Sequence, residues 1–518
     1  MIKIIPFLKN HLAACLLLAT SLVLGFMVYG DYGIAWDETE QREIGEQSYH
    51  YVFKGNNSLN EFKDRDYGVA VELPLVLLEK TLHLKDDRDI YRMRHLATHL
   101  FFLFCAFAFY FLIWTLYRNK PLAVCGYLML LLSPRIYAQS FFNSKDIPFM
   151  CMFILCFLVC VIAFRDKKIR HFVIFGILSG LLINIRIMGI VIPAIVTALT
   201  LVDMIRGPHR KKILIRYLVY VVLTVTVLVL SWPWLWNDPA GHFRIALSNM
   251  SKFRWDGKIL VNGDFVRGSA IDWKYLPRWF GLTTPFIYLL TGITGFLFLV
   301  IRFFRKPLDF ISQTDNRNQM IYVVCFAGPV GAVIVLHSVL YDGWRQMYFI
   351  YPAFLLLAVY GLSSIFNAGF FSGDLPKIII AFLLIVSFAG TGLTMIKSHP
   401  FEDVYFNILL PKRDQYLRKT FELDYWGTSY KQALEYIVAT DKSPLLKIRV
   451  ANVPGGFNSY LLKPEDRRRI HYYGTDEKAD YFISNYRWHP QDYLYPKEKK
   501  IFSISIQNSE ICSVWKLH

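Results

Sequence analysis

Charge is scarce in this chain. Only 19% of its 518 residues are Asp, Glu, Lys or Arg, whereas 54% are hydrophobic. A soluble chain of this length normally carries more charge and divides into two or three domains. Here the apolar residues gather into long blocks, which excludes an ordinary soluble enzyme. A cysteine framework is also missing. Of eight cysteines, Cys15, Cys105, Cys125, Cys151, Cys156, Cys160 and Cys325 lie inside apolar blocks and Cys512 stands alone. That rules out a disulfide scaffold and zinc spacing, and the thiols read as small core residues. His50, His95, His99 and His337 are scattered without ligand spacing. No Ser–His or Cys–His pair stands out. No small-residue cleavage site follows the first apolar run, residues 11–29, which is longer than a signal-peptide core and reads as a retained membrane helix.

What is present is a succession of apolar runs near the 20 or so residues needed to cross a bilayer. Eleven are expected, at about 11–29, 95–116, 121–140, 147–164, 172–186, 188–204, 213–232, 282–301, 320–340, 346–366 and 377–396. The fifth and sixth are short, and only Asn184 and Arg186 interrupt the stretch 172–204. The net charge of +17 sits largely in short loops between the runs, such as Arg165, Lys167, Lys168 and Arg170, or Arg206, Arg210, Lys211 and Lys212. This is the signature of membrane orientation, and nucleic acid is rejected as a partner. With the N-terminus in the cytoplasm, nearly all the basic clusters fall inside and the C-terminus outside.

Three segments then lie outside. Residues 30–94 form a long first loop with two helices expected on the membrane surface, at 32–53 and 69–82. Residues 232–281 form a second loop rich in Trp, Arg and Asp, and its Trp232–Trp236 cluster reads as an interfacial belt. Residues 397–518 form a soluble tail with a helix expected over 430–440 and strands at 446–453, 481–484 and 501–506, a small α/β unit. The expected fold is therefore a polytopic α-helical membrane protein of about eleven spans over residues 1–396, followed by an extracytoplasmic α/β domain over 397–518.

Four ionisable clusters fall at the outer boundary: Asp37 with Glu38, Lys145 with Asp146, Arg186, and the Tyr341–Arg345 stretch with Asp342 and Arg345. Each alone has an ordinary reading, as a solvated loop, an interfacial ion pair or a snorkelling arginine. Charges confined to a membrane boundary are nevertheless costly unless they face water or a polar cavity. Together they carry what transfer from a lipid-phosphate sugar requires. A carboxylate takes the acceptor's proton, with Asp37 the chosen base beside Glu38, and cations hold the departing phosphate, with Lys145, Arg186 and Arg345 available. No metal is required for this, and a divalent metal is allowed, with Asp37, Glu38 and Asp146 as oxygen ligands.

The pattern Trp36-Asp37-Glu38 after a first helix resembles the GT-C glycosyltransferases. More closely it is similar to glycosyltransferase family 39, which includes protein O-mannosyltransferases and bacterial aminoarabinose transferases. Ser144-Lys145-Asp146-Ile147-Pro148-Phe149 resembles the second acidic motif of bacterial members. Tyr341-Asp342-Gly343-Trp344-Arg345-Gln346 with Tyr351-Pro352 resembles a later block, and His399-Pro400-Phe401, Tyr405-Phe406-Asn407 and Leu423-Asp424-Tyr425-Trp426-Gly427 resemble the tail of a bacterial subgroup. The resemblance implies a polyprenyl-phosphate sugar donor, inversion at the sugar, a periplasmic-side site in a bacterial inner membrane, Asp37 as base, and Lys145 and Arg345 as phosphate contacts. The acceptor is a glycan, a lipid or a protein. The tandem sugar-binding modules of eukaryotic O-mannosyltransferases are not in this chain, which weighs against protein. The competing readings are a transporter or flippase of a lipid-linked precursor, which predicts pseudo-symmetric repeats that the sequence lacks, and a non-catalytic assembly factor.

Overall fold

The apolar runs become helices because each has enough hydrophobic length to bury its backbone hydrogen bonds within itself. In the computed structural model, residues 4–251, 255, 257–367, 374–411 and 413–518 are described; residues 1–3, 252–254, 256, 368–373 and 412 lie outside. In chain order the main helices are α1 (Leu12–Val28), α2 (Glu38–Lys54), α3 (Glu72–Thr81), α4 (Asp87–Tyr117), α5 (Lys120–Leu131), α6 (Pro134–Phe142), α7 (Asp146–Asp166), α8 (Ile169–Ile185), α9 (Val191–Arg206), α10 (Arg210–Ser231), α11 (Phe286–Arg305), α12 (Thr314–Val335), α13 (Tyr351–Asn367), α14 (Asp374–Ser398) and α15 (Tyr430–Thr440).

Among the described residues, eight of these segments are long and apolar enough to cross a membrane: α4, α7, α9 to α14. Helices α1 and α8 are apolar but shorter, and α5 with α6 is a bent pair. These segments match the eleven expected runs in order, with one correction. The run 121–140 is not one straight helix but turns by 62° between α5 and α6. The cause is local: Ser133 is extended and Pro134 opens the next helix, where its missing N–H costs nothing. Helices α7 and α13 are the most enclosed, while α10 and α14 lie at the margin with apolar surface left for lipid.

Small residues set the closest contacts. Gly176 and Gly180 on α8 bring it against α10, and a Cβ at either would lie 2.7 Å from the carbonyl of Tyr220 or Thr224. A Cβ on Gly295 of α11 would lie 2.0 Å from the Leu357 carbonyl on α13. Glycine is required there for helix approach, the usual role of small residues in membrane bundles.

The helices expected in the first loop are α2 and α3, and the second loop holds the helix Pro239–Ser251 and a hairpin of β1 (Lys258–Val261) and β2 (Asp264–Arg267) that sequence patterning did not reveal. In the tail, α15 covers a five-stranded sheet of β3 (Leu446–Val450), β4 (Ile470–Tyr472), β5 (Tyr481–Ser484), β6 (Lys500–Ile506) and β7 (Ser509–Lys516), in the order β4-β3-β5-β7-β6. Strands β4, β3 and β5 run parallel, and β7 pairs antiparallel with β5 and β6. Ile437, Leu434, Ile448, Ile483 and Val514 form the core between helix and sheet.

The helix contact at Gly180 yields a first test. Gly180→Leu forces α8 and α10 apart and is expected to cost roughly 1–3 kcal/mol through overpacking, read as a lowered thermal midpoint in detergent, whereas Gly281→Ala, with open space around its Cβ position, leaves the midpoint nearly unchanged.

Candidate active site

A guanidinium removed from water must be neutralised by carboxylates held close to it. Arg345, at the entry to α13, is 3% exposed, and three carboxylates converge on it: Asp37 at 3.0 Å, Asp342 at 3.2 Å and Asp146 at 3.3 Å. Its planar face lies 4.5 Å from the Trp426 ring and 5.0 Å from that of Tyr341. Asp146 also pairs with Arg186 through its second oxygen. The Lys145 ammonium sits 3.6 Å from the centre of the Tyr67 ring. Burial, reinforced by the charge of Arg186, pushes the Lys145 amine down to about 7. The structure thus gathers Asp37, Asp146, Arg186, Arg345 and Lys145 from four separate stretches of sequence into one polar cluster.

Each group is placed by a local device. Asn143 accepts the backbone N–H of Asp146 at 2.8 Å and of Lys145 at 3.3 Å, capping the start of α7, while its amide donates to Asp146 and Gln139. Gln139 in turn donates to Tyr348 and Tyr425. The carboxylate of Asp146 opens the helix, where the dipole favours negative charge. Ser144 donates to Glu72 at 2.6 Å, and Glu72 is held by buried Arg94. Arg186 lies where α8 stops and the chain becomes extended, at φ −149°. Asn184 fixes that break by donating to Ser231 and accepting from Ala70.

Asp37 and Glu38 part company. Successive positions at a helix start diverge by about 100°, so the two side chains cannot share a direction. Asp37 retains 36% of its side-chain exposure beside Arg345. Glu38 turns inward, accepts the Ala35 N–H at 2.7 Å and meets His95 Nε2 at 3.0 Å. Its carboxylate is bound to that internal pair and is not among the groups paired with Arg345. Glu40, one turn beyond Asp37, holds its proton up to about 7 through a hydrogen bond with Asp64.

The tail grips the loop that carries Asp37. Trp36 N–H donates to the Trp426 carbonyl at 3.0 Å. Asn458 accepts from Ile34 N–H at 2.8 Å and donates back to its carbonyl at 3.0 Å. Gln432 and Lys431 donate to the Asp31 carbonyl. Gly33 is indispensable, because a Cβ would sit 2.2 Å from the Thr428 carbonyl.

Two members of the site were not assigned from sequence. Asp342 belongs to the Tyr341–Arg345 stretch without a role of its own in the sequence, and Arg487 lies in the tail. Arg487 donates to Asp342 at 2.7 Å and to the Tyr425 carbonyl, completing a chain Arg487–Asp342–Arg345–Asp37. The signal available was Asp342 three residues before Arg345. Nothing in the sequence links Arg487 to it across 145 positions. Among the described residues no group of three or more His, Cys, Asp or Glu side chains is arranged to hold a metal. Asp37 and Asp146 face guanidinium groups and Glu38 faces His95, so these three do not fit a shared cation.

Asp342→Ala leaves Arg345 and Arg487 buried beside an unfilled gap. Losing one partner of a buried ionic group costs about 3–5 kcal/mol. The expected result is a lowered thermal midpoint in detergent together with faster proteolytic release of the tail.

With this geometry in view, likeness to known proteins becomes informative. Residues 90–236 match the model of the family described as dolichyl-phosphate-mannose-protein mannosyltransferase. That segment contains Lys145, Asp146 and Arg186. No curated protein matches the sequence. Among solved structures, ArnT from Cupriavidus metallidurans bound to undecaprenyl phosphate is 12% identical, with a TM-score of 0.51 over 96% of this chain and 97% of that one. The apo oligosaccharyltransferase of Archaeoglobus fulgidus is 11% identical, with a TM-score of 0.49 over 89% of this chain; the chain spans only 65% of that protein's length. The chain is thus a multi-pass helical membrane protein in composition, similar in fold to ArnT and, over residues 90–236, similar to the dolichyl-phosphate-mannose-protein mannosyltransferase family.

Proposed function

We propose that the protein moves a sugar from a polyprenyl-phosphate donor to an acceptor hydroxyl or amine, with inversion at the anomeric carbon. The observation that carries this reading is the half-open carboxylate of Asp37 beside the buried cation Arg345. Asp37 takes the acceptor's proton as the acceptor's lone pair forms a bond to sugar C1. The C1–oxygen bond to the phosphate breaks on the opposite face, and its electrons leave with the polyprenyl phosphate. The products are the glycosylated acceptor and the lipid phosphate, with the proton on Asp37.

Lys145, Arg186 and Arg345 hold the departing phosphate. With Arg487 they make four cations against the three carboxylates Asp37, Asp146 and Asp342. The single positive excess suits the one negative charge of a phosphodiester. Phosphate arriving on Arg345 competes with Asp37 for the guanidinium and frees the carboxylate to act as base. Glu38 and Asp146 are positioning groups in this scheme, the first through His95 and the second through the two arginines. The charge balance is met without a metal, and a divalent ion would have to displace a guanidinium from Asp37 or Asp146. ArnT has been solved with undecaprenyl phosphate bound, which supports a lipid phosphate of that class here. We place the protein in a bacterial inner membrane, with its N-terminus cytoplasmic and its tail and active site on the extracytoplasmic face, in keeping with the basic clusters at the opposite ends of the helices.

Two measurements test this. Purified protein is incubated with a panel of radiolabelled polyprenyl-phosphate sugars and bacterial membrane extract. Label passes to an acceptor with wild type, and Asp37→Asn lowers the rate on the order of 10²–10⁴-fold while still binding undecaprenyl phosphate; transfer at the normal rate by that variant removes Asp37 as the base. Donor affinity also depends on pH. A lysine loses its positive charge as pH rises through its pKa, so wild-type affinity for undecaprenyl phosphate is expected to fall above about 7, and Lys145→Arg, charged throughout, is expected to flatten that decline.

A further inference from the structure

Beside the site, where the tail meets the second loop, lies a shallow, partly open cleft whose enclosed volume is about 10 Å³, room for one water-sized group. Its lining includes three carboxylates. Asp424 is fully used, accepting the N–H groups of Gly427, Thr428 and Ser429. Glu510 is held by Arg418, Lys500 and Tyr486. Glu422 is different. It is 5% exposed, and neither of its oxygens has a hydrogen-bond partner among the described residues. Burial pushes its carboxyl up to about 8, so at neutral pH it is the neutral acid, and a buried carboxyl without a hydrogen-bond partner is costly and calls for one.

The mouth of the cleft is aromatic. Trp488 is 45% exposed and held in place by its indole N–H on the Lys258 carbonyl at 3.1 Å. Its backbone is left-handed at φ 63°, as is that of Tyr486 at φ 60°. Bulky residues rarely adopt this conformation, and it clusters at ligand sites. The other edge of Trp488 meets Trp36, with ring centres 5.7 Å apart, and the Arg487 guanidinium lies 4.9 Å from both indoles. Trp36 precedes Asp37, so the cleft adjoins the base.

Charge selects the occupant. A cation would meet Arg487 and Arg418, and an anion would meet Asp424 and Glu510. A neutral polyol satisfies both, since hydroxyls donate and accept, and the apolar face of a sugar ring stacks on an exposed indole. The geometry points to a carbohydrate subsite on the acceptor side, in which a pyranose ring lies on Trp488 and one hydroxyl enters the floor and donates to Glu422. This rests on the proposed transfer reaction and names its acceptor as a glycan, engaged at a sugar unit next to the one that is modified. Trp488 and Glu422 are specificity residues in this scheme, away from the reacting atoms.

The test uses the full chain in detergent with four neutral trisaccharides: maltotriose, cellotriose, mannotriose and triacetylchitotriose. Saturation-transfer NMR is recorded for wild type, Trp488→Ala and Glu422→Leu, with undecaprenyl phosphate binding as the control for a folded donor side. At least one trisaccharide is expected to bind wild type, at least tenfold more weakly to Trp488→Ala and several-fold more weakly to Glu422→Leu. If none binds, or if binding is equal in all three proteins, the cleft holds an ordered water only and the inference is overturned. Wild type that binds a trisaccharide in the expected pattern but not undecaprenyl phosphate would instead overturn the donor assignment and leave the subsite standing.

Discussion

Arg345 is the residue that the site cannot do without. A guanidinium in a nearly dry environment draws carboxylates from wherever the chain can supply them. Here they come from the first loop, from the start of α7 and from its own turn. One buried charge therefore fixes the relative positions of elements separated by hundreds of residues. It also explains why the site is polar yet compact: each carboxylate is shared, and Asp146 and Asp342 each bridge to a second arginine. The same arrangement leaves Asp37 partly exposed, because it alone among the three is bound on one side only.

Polar support extends outward from that centre in two directions. Toward the bundle, Asn143, Gln139, Ser144 and Glu72 link the start of α7 to α3, α4 and the α13 entry. Toward the tail, Arg487 ties Asp342 to the sheet domain, and Asn458 and Trp426 pair with the backbone of the first loop. A single-layer site at the end of a helical bundle would be soft. Here it is pressed between the bundle and a folded domain, which is how side chains are held within the tolerances that chemistry needs.

The membrane helices were legible because a hydrophobic run of bilayer length has few alternatives. The tail helix was legible from its spacing, and appears over the very residues 430–440. The bend at Ser133-Pro134 was missed although proline signals a helix start, because the apolar character continues across it. Strands β4 and β7 escaped because both mix polar and apolar residues without clean alternation. The ionic groups of the site were legible one at a time, as charges in places where charge is costly. Their pairing was not: Asp37 and Glu38 look equivalent in sequence, and only the turn of α2 separates their directions. Arg487 carries no local mark at all, since its significance arises from Asp342, far away in the chain.

The grip of the tail on the first loop has a temporal side. Ile34 finds its hydrogen-bonding partner 424 residues later, in Asn458. At the usual pace of synthesis, roughly 5–20 residues per second, the ribosome needs about 20–85 s to cover that distance. Throughout that interval the residues that shape the first loop are still to be made. The first loop therefore takes its final shape around Asp37 only when the tail has folded over it. A chain that stops short of Asn458 or Arg487 keeps its first loop without those partners, so the order of synthesis separates the making of the bundle from the finishing of the site.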